Sequence, residues 1–581
     1  DQARGLLADA SARVNDALIA YSSLDVGALP SQLKPGTKYG NYLAQLSIAP
    51  SAFAEVNRLL DVAPALLGIS QPANYLVMAM DRSELRPGGG FIGNIGFLTL
   101  QNGKQSTQYP LSLHNAYDLD KAYFQTIHGP PDQNCLDLTK DPTPPQYYWW
   151  WPYRSAFSDD THCQFDWGVR DSNLSPDFPT NARAALQIVN NTPNQLPGNA
   201  PPQGVIAFTP VVIEKILDAT GPLPMPDWNN VVVTSSNLEL EIHEFQLGAT
   251  GRAVNQPGDR KEFTHELSQR LLARIKTLHG AQLGKIFKIA EDAIKGKDLQ
   301  LYFVDPRAEL ILQQLGLDSS IHTGNGDGFM VVDANDGGNK ANAYVTEHQT
   351  DYVTLLPNGG ALHQLRIAVT YAKTGAVYQD KGTPEDYNDL QRTYLPGDST
   401  ILGYSGFNTS YWSAGASGKC SPNIMTVLTD CTADNGSHGL YNPTTNSDVP
   451  GRNMVLGALM VQCGPSQDIS GYDSAYNLAF CDKNVYKNTQ NIYIEWYTPH
   501  AFTMDAHGHG VYSEVVENQP GSVDTVTVYV DSSQLHAQQP QLGDYTFSQG
   551  GADAAFAALI QGKKPVLDGP LSSNTTINAN F

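Results

Sequence analysis

The hydrophobic pattern divides the chain into three stretches. Up to about residue 70, Leu6, Leu7, Ala10, Val14 and Leu18, and then Phe53, Val56, Leu59 and Leu60, recur at spacings of three and four, which predicts a helical lead-in. From residue 74 short apolar runs alternate with amphipathic ones. NYLVMAM (74–80), IGFLTL (95–100), GVIAFTP (204–210) and LQLYFVD (299–305) read as strands. VVIEKILDATG (211–221) reads as a helix closed by a glycine, AELILQQLG as a short helix ending at Gly316, and a longer helix is expected from about Asp259 with Phe263, Leu267, Leu271, Ile275 and Leu278 on one stripe. After about residue 345 strand alternation with turn signals takes over, and only residues 552–561 remain helical in pattern. The expected organisation is a helical segment over 1–70, an α/β domain over 71–345 and one or two β-sandwich modules over 346–581.

Composition narrows the setting. The chain has 581 residues, more than one hydrophobic core normally serves, and a formal net charge of -22 from 36 basic and 58 acidic side chains. That balance argues against a nucleic-acid partner and against adhesion to anionic lipid, so any anionic ligand needs a local basic pocket. Charged residues make up only 16% of the chain while Gly, Pro, Tyr, Asn, Ser and Thr abound, which suits an extracellular β-rich surface. The six cysteines fall into local pairs, Cys135 with Cys163, Cys420 with Cys431 and Cys463 with Cys481, and none forms a CxxC unit. Three short-loop disulfides in an oxidising compartment are expected. Sequons occur at Asn173, Asn190, Asn408, Asn435 and Asn574, compatible with a glycosylated exterior. No run of eighteen apolar residues is present, and the chain opens at Asp1 already helical in pattern, so membrane contact is expected only through an anchoring segment that once preceded it.

The densest chemistry lies in DRSELRPGGGFIG (81–93), where two arginines and two carboxylates lead into a glycine cluster between two strands. Its GGGFIG satisfies the dinucleotide pattern GxGxxG, but a strand rather than a helix follows, so no helix N-terminus is available for a pyrophosphate. Two readings stand for this loop. In one, glycines Gly88, Gly89 and Gly90 let a ligand approach the backbone and Arg82 or Arg86 forks onto phosphate or carboxylate oxygens. In the other it is a glycine-rich hairpin with a solvated charge cluster.

Elsewhere, Arg170 and Asp171 in GVRDSNLSPDF are a phosphate clamp with a metal ligand, or a loop-ordering ion pair ahead of a helix capped by Asp177. Arg260, beside Asp259 at the mouth of the predicted long helix, is placed for an anion or is simply a solvated first-turn residue. ANDGGNKAN (334–342) is a tight turn rather than a calcium loop, and HGHG (507–510) is a surface histidine pair more readily than a metal site. The signatures of serine hydrolases, zincins and P-loop enzymes are absent from the sequence. The aromatic run PPQYYWWWPYR (144–154) needs a cover, whether partner, glycan or the rest of the chain.

Four segments in order, DRSELRPGGGFIG at 81, GVRDSNLSPDFPTNA at 168, GVIAFTPVVIEKILDATGPL at 204 and GDGFMVVDANDGGNKANAYV at 326, resemble the bacterial envelope family known as domain of unknown function 4012. That resemblance implies a membrane-anchored protein with a large extracytoplasmic part. More remotely, GVIAFTPVVIEKILDATGPLPM and GDRKEFTHELSQRLLARI resemble the LytR-CpsA-Psr proteins, which transfer lipid-linked phosphoglycans onto peptidoglycan. This second resemblance puts Asp81 and Arg86 near an early Asp and Arg and Asp259 with Arg260 on a late Asp-Arg pair; taken with the loop readings above, the expected site has catalytic Arg86, Arg170 and Arg260, ligand binding by Arg82 with Gly88, Gly89 and Gly90, and Mg²⁺ held by Asp81, Asp171 or Asp259. The chain departs from that pattern where LHNAYDLD (113–120) replaces a Pro-Arg-Asp strand end and where His265 stands for a second basic residue.

Two functions are therefore expected from the sequence. One is an envelope protein that binds or transfers a phosphorylated glycan or a polyprenyl-phosphate-linked glycopolymer. The other is a structural subunit of a surface layer, sheath or filament whose partners are copies of itself.

Overall fold

The computed structural model describes residues 60–128, 168–247, 262–321, 326–335, 340–373, 387–407, 447–461, 486–505, 507–535 and 552–581, with a few isolated stretches besides. The six cysteines, the aromatic run 144–154, Asp259, Arg260, Asn408 and Asn435 lie outside the described residues.

The first region is built on β1 (Ala73–Asp81), β2 (Phe91–Gln101), α1 (Ala116–His128), α2 (Phe178–Asn190), β3 (Gly204–Phe208), α3 (Pro210–Thr220), α4 (Leu238–Leu247), α5 (Glu262–Ile275), α6 (Ala281–Lys295), β4 (Leu299–Phe303) and α7 (Pro306–Gln314). The strands form one mixed sheet in the order β2-β1-β3-β4, with β1 and β3 parallel and the other pairs antiparallel. Local chemistry explains the helices that the pattern predicts. The Asp177 carboxylate accepts from Thr180 N at the start of α2, with proline in its first turn. Gly221 closes α3 at φ +89°, and Phe263, Leu267 and Leu271 bury the stripe of α5. Helices α1, α4 and α6 were not anticipated from the sequence.

The second region contains β5 (Asp327–Val332), β6 (Val345–Leu355), β7 (Ala361–Lys373), β8 (Tyr387–Pro396), β9 (Thr400–Ser405), β10 (Arg452–Val461), β11 (Tyr486–Thr498), β12 (Phe502–Met504), β13 (Gly510–Glu517), β14 (Asp524–Asp531), α8 (Ala552–Ile560), β15 (Leu567–Pro570) and β16 (Thr575–Asn580). They form two six-stranded sheets. One runs β9-β11-β7-β6-β14-β15, and the other runs β10-β8-β5-β13-β12 with β16 also paired to β13. Val353, Leu365, Ile367, Ile494 and Val528 of one share a core with Phe329, Val331, Val455, Leu459 and Val516 of the other. The protein is thus an α/β region followed by a β-rich region.

The boundary falls earlier than residue 345. β5, read from the sequence as part of the α/β stretch, pairs with β8 and β13. Its other face explains how the two regions meet. Met330 and Val332 of β5, Leu390 and Tyr394 of β8, and Met454 and Leu456 of β10 pack in one cluster with Leu76 and Met78 of β1 and with Phe178 and Ala182 of α2. That sheet is covered on both faces, so all ten residues of β8 are buried although half are polar. Arg392 is the clearest consequence: its guanidinium donates to Asp448 Oδ2 at 2.7 Å, Tyr394 Oη at 2.8 Å and the Leu174 carbonyl at 3.2 Å.

Candidate functional site

The loop between β1 and β2 sits where the two regions touch, and its geometry follows from its glycines and charges. Asp81 pairs with Phe91 at the loop end of the hairpin, and the turn is pinned by Glu84 N to Asp81 O and Phe91 N to Glu84 O. Gly90 has φ +140°, and a Cβ there would stand 2.5 Å from the Asp81 carbonyl oxygen. At Gly88 a Cβ would stand 2.8 Å from Asn181 Nδ2. Both glycines are therefore required by neighbouring protein atoms. Gly89 donates its N–H to the Arg86 carbonyl at 2.8 Å, and Gln300 Nε2 donates to the Gly88 carbonyl at 2.7 Å.

Each charged group of the loop meets an opposite charge inside the protein. Asp81 Oδ2 accepts from Lys340 Nζ at 2.6 Å and faces His243 Nε2 at 2.9 Å, while Oδ1 accepts from Ser83. Burial pushes the Asp81 carboxyl up, but Lys340 and His243 outweigh it and hold the group well below the usual carboxylate range. Arg82 donates through Nε to Glu239 at 2.7 Å and through Nη2 to Glu214 at 3.4 Å. Burial, opposed by Arg82 and assisted by Glu239, pushes Glu214 up to about 7. Arg86 is buried, donating to Glu84 at 2.9 Å and to the Asn335 carbonyl.

Arg170 lies on a separate buried turn. It donates to Asp120 Oδ2 at 2.8 Å, reaches Asp171 at 3.3 Å and lies over the Tyr117 ring. Asp120, at the end of LHNAYDLD, also accepts from Val169 N, and burial pushes it up to about 6 against the pull of Arg170.

These placements answer the expectation of one arginine-lined pocket. The structure brings Arg82, Arg86 and Gly88 to Gly90 together, and each arginine lies against carboxylates of the protein. Asp81 and Asp171, expected as Mg²⁺ ligands, lie against cationic side chains instead, Asp81 against Lys340 and Asp171 against Arg170. Asn173, a sequon, is buried and donates through Nδ2 to the Gly90 carbonyl, so it is closed to a glycan in the folded chain. His507 and His509 share an exposed loop held by Asp505, which accepts both backbone N–H groups.

A cavity of about 300 Å³ opens beside the loop, lined by Arg82, Ser83, Glu239, Asp333, Glu347 and Asp524 among others. One guanidinium thus faces four carboxylates. Gln391 Nε2 bridges Asp333 and Glu347 at 3.0 Å each, and burial together with mutual repulsion pushes Glu347 well above its ordinary value and Asp524 up to about 7. Arg82 is the one cation that lines this cavity and Glu239 already holds it, so the lining offers a phosphate carboxyl groups rather than a cationic cradle.

Other contacts lock the loop to the β-rich region. Gln519 Nε2 donates to the carbonyls of Arg86 and Asp333, Leu85 N donates to Asn342, and Glu517 joins Lys297 and Arg452 in a buried triad. Sequence reasoning missed Asp120, Glu214, Glu239, His243, Lys340 and Gln519. Lys340 was legible only as part of ANDGGNKAN, and His243 lies on the helix that the pattern did not predict.

The fold and site define a mixed α/β domain clamped through a glycine loop onto a β-rich region. Residues 70–244 match the model of the family described as Protein of unknown function (DUF4012), the family that the sequence resembles. A solved structure from Streptococcus agalactiae is similar at 12% identity and TM-score 0.24, covering 45% of this chain and 76% of that one. One from Listeria innocua is similar at 10% identity and TM-score 0.21, covering 43% and 79%. A comparison with curated proteins finds no match. Among the described residues no helix is long and apolar enough to cross a membrane.

Proposed function

We propose that the chain is an extracytoplasmic cell-envelope protein acting as a non-catalytic structural subunit of a surface layer, sheath or filament, with copies of itself as partners. The observation that carries this reading is the use of the glycine loop. Arg82, Arg86 and Asp81 all pair inside the protein, and the adjoining cavity is acidic. Charges arranged in this way clamp two regions into one body and leave little to attract a phosphorylated glycan.

The low charge content and locally paired cysteines support an exterior, oxidising setting. The reading takes the two facing sheets as a β-sandwich and the α/β part as a LytR-CpsA-Psr-like scaffold whose transfer chemistry has been lost. Glycan transfer with Mg²⁺ is the competing reading, and it requires Arg82 and Arg86 to leave Glu239 and Glu84.

Native material examined by negative-stain microscopy is expected to show ordered arrays or fibres, and labelled lipid-linked glycan with Mg²⁺ is expected to give no turnover by folded protein. Monodisperse monomer at high concentration together with turnover that Arg86→Gln abolishes would replace this reading with the transferase.

A further inference from the structure

The core between the two sheets of the β-rich region contains a second group of charges, remote in sequence from the glycine loop. Asp351 on β6 and His363 on β7 belong to one sheet and Glu514 on β13 to the facing one, and all three are fully buried. One ligand-type atom from each lies within 4.8 Å of the other two.

The imidazole is oriented from behind. Asp327 faces its Nε2 at 2.6 Å, and the oxygens of Asp327 already accept from Tyr512 Oη at 3.0 Å, Thr498 Oγ1 at 2.9 Å and Gly328 N at 2.9 Å. The ring stacks on Trp496 with centroids 4.3 Å apart and planes 5° apart. An acceptor so placed keeps the proton on Nε2 and turns Nδ1 toward Asp351 Oδ2, 2.7 Å away. A carboxylate behind a histidine is the usual support for a metal-ligating imidazole.

Glu514 supplies an independent observation. No N–H or hydroxyl donor reaches either of its carboxylate oxygens or Asp351 Oδ1, and the one hydrogen bond open to Glu514 is a carboxyl proton shared with Asp351. A buried carboxylate without a donor is costly, and here it converges on a second carboxylate and an imidazole nitrogen.

We propose that His363 Nδ1, Asp351 and Glu514 are the protein ligands of a divalent transition-metal ion, best matched by Zn²⁺, that rivets the two sheets together, with Asp327 as the positioning residue behind the imidazole. One nitrogen and two carboxylates, one of them bidentate, would supply the four donor atoms that Zn²⁺ accepts, and full burial suits a structural rather than a catalytic ion. A metal ion takes the Nδ1 lone pair and ionised carboxylates, so its binding competes with protons at these three groups.

The test uses the full chain carrying His507→Gln and His509→Gln, so that the exposed histidine pair cannot contribute. After dialysis against chelator, Zn²⁺ titration in weak buffer is expected to bind one ion per chain, release protons and raise the Tm by several degrees. Adding Glu514→Gln is expected to weaken Zn²⁺ binding at least tenfold while the circular dichroism stays native, and Asp351→Asn serves if that variant does not fold. Folded protein whose Tm is unmoved by either chelator or Zn²⁺ would overturn the proposal, leaving a carboxyl proton shared between Glu514 and Asp351. Unchanged Zn²⁺ stoichiometry and affinity in the Glu514→Gln chain would overturn it equally, because the ion would then lie elsewhere.

Discussion

The glycine-loop junction and the interior of the β-rich region both bury charge, but they resolve it in opposite ways. At the junction the carboxylates that clamp the loop meet cations: Asp81 with Lys340, Glu239 with Arg82, Glu517 with Lys297 and Arg452. Inside the β-rich region carboxylates meet one another, with Asp333 near Glu347 and Asp389, and Asp351 near Glu514. Opposite charges lock a geometry, whereas like charges can be buried only by holding protons or a cation. The junction should therefore depend on its partners being present, and the interior on pH.

The largest effect is expected where a paired charge in the doubly covered sheet loses its partner. Arg392→Met leaves Asp448 and the Tyr394 hydroxyl without their buried guanidinium and should cost about 3–5 kcal/mol in urea unfolding. Replacing Asp448 by Leu in the same chain should recover a large part of that loss, since no charge is then left uncompensated. Equal loss in single and double variants would mean that Arg392 acts through packing alone.

Next comes the pH profile. Asp333, Glu347, Asp389 and Glu514 all have raised values, chiefly from burial, and Asp524 and Glu495 are pushed up to about 7. A carboxyl raised by folding contributes stability that is complete below its unfolded value near 4 and is lost as pH rises through the folded value. Metal-free protein should accordingly lose stability from about pH 4.5 to pH 7.5, by about 1.4 kcal/mol per pH unit for each net proton released. Asp81 has the opposite sign: its stabilisation is present above the unfolded value and is lost as pH falls through its depressed folded one. Thermal unfolding across this range should show the slope, Glu347→Gln should flatten its neutral limb, and a flat profile in the parent chain would break the comparison.

The same contrast explains how much the sequence disclosed. Strands β1, β2, β3 and β4 were legible because a single apolar run or alternation survives in each. β8 was not, because YNDLQRTYLP is buried on both faces and its Arg392 is held by the Leu174 carbonyl and Asp448, far away in sequence. The charges of the loop were visible, but their partners were not. Asp81 and Lys340 are 259 residues apart, and Arg82 and Glu239 are 157 apart, so nothing local distinguishes a consumed arginine from one waiting for a ligand. His363 and Glu514 carried no recognisable spacing because strand register, rather than a motif, brings them together.

A smaller loss is expected at the loop backbone. Gly90→Ala puts a side chain at positive φ and against the Asp81 carbonyl, which should cost about 1–3 kcal/mol. Because Asp81 and Phe91 are paired next to it, the loss should come with faster amide exchange at the end of the hairpin. Normal exchange there would mean that the turn tolerates the change by a local shift.

The smallest effect sharpens the comparison most, because it converts a junction pair into the interior type. Arg82→Met removes the cation from Glu214 and Glu239, which then face each other in a partly buried setting. Burial already pushes Glu214 up to about 7 with Arg82 beside it, and without that cation the carboxyl is pushed up further. At neutral pH the pair must either hold a proton or repel, so the variant should lose about 1 kcal/mol. At pH 5 the proton is already bound and the loss should fall close to zero. Urea unfolding of parent and variant at both pH values separates the alternatives. A penalty that is the same at pH 5 and pH 7.5 would show that Arg82 holds the junction by its hydrocarbon stem and its hydrogen bonds rather than by its charge.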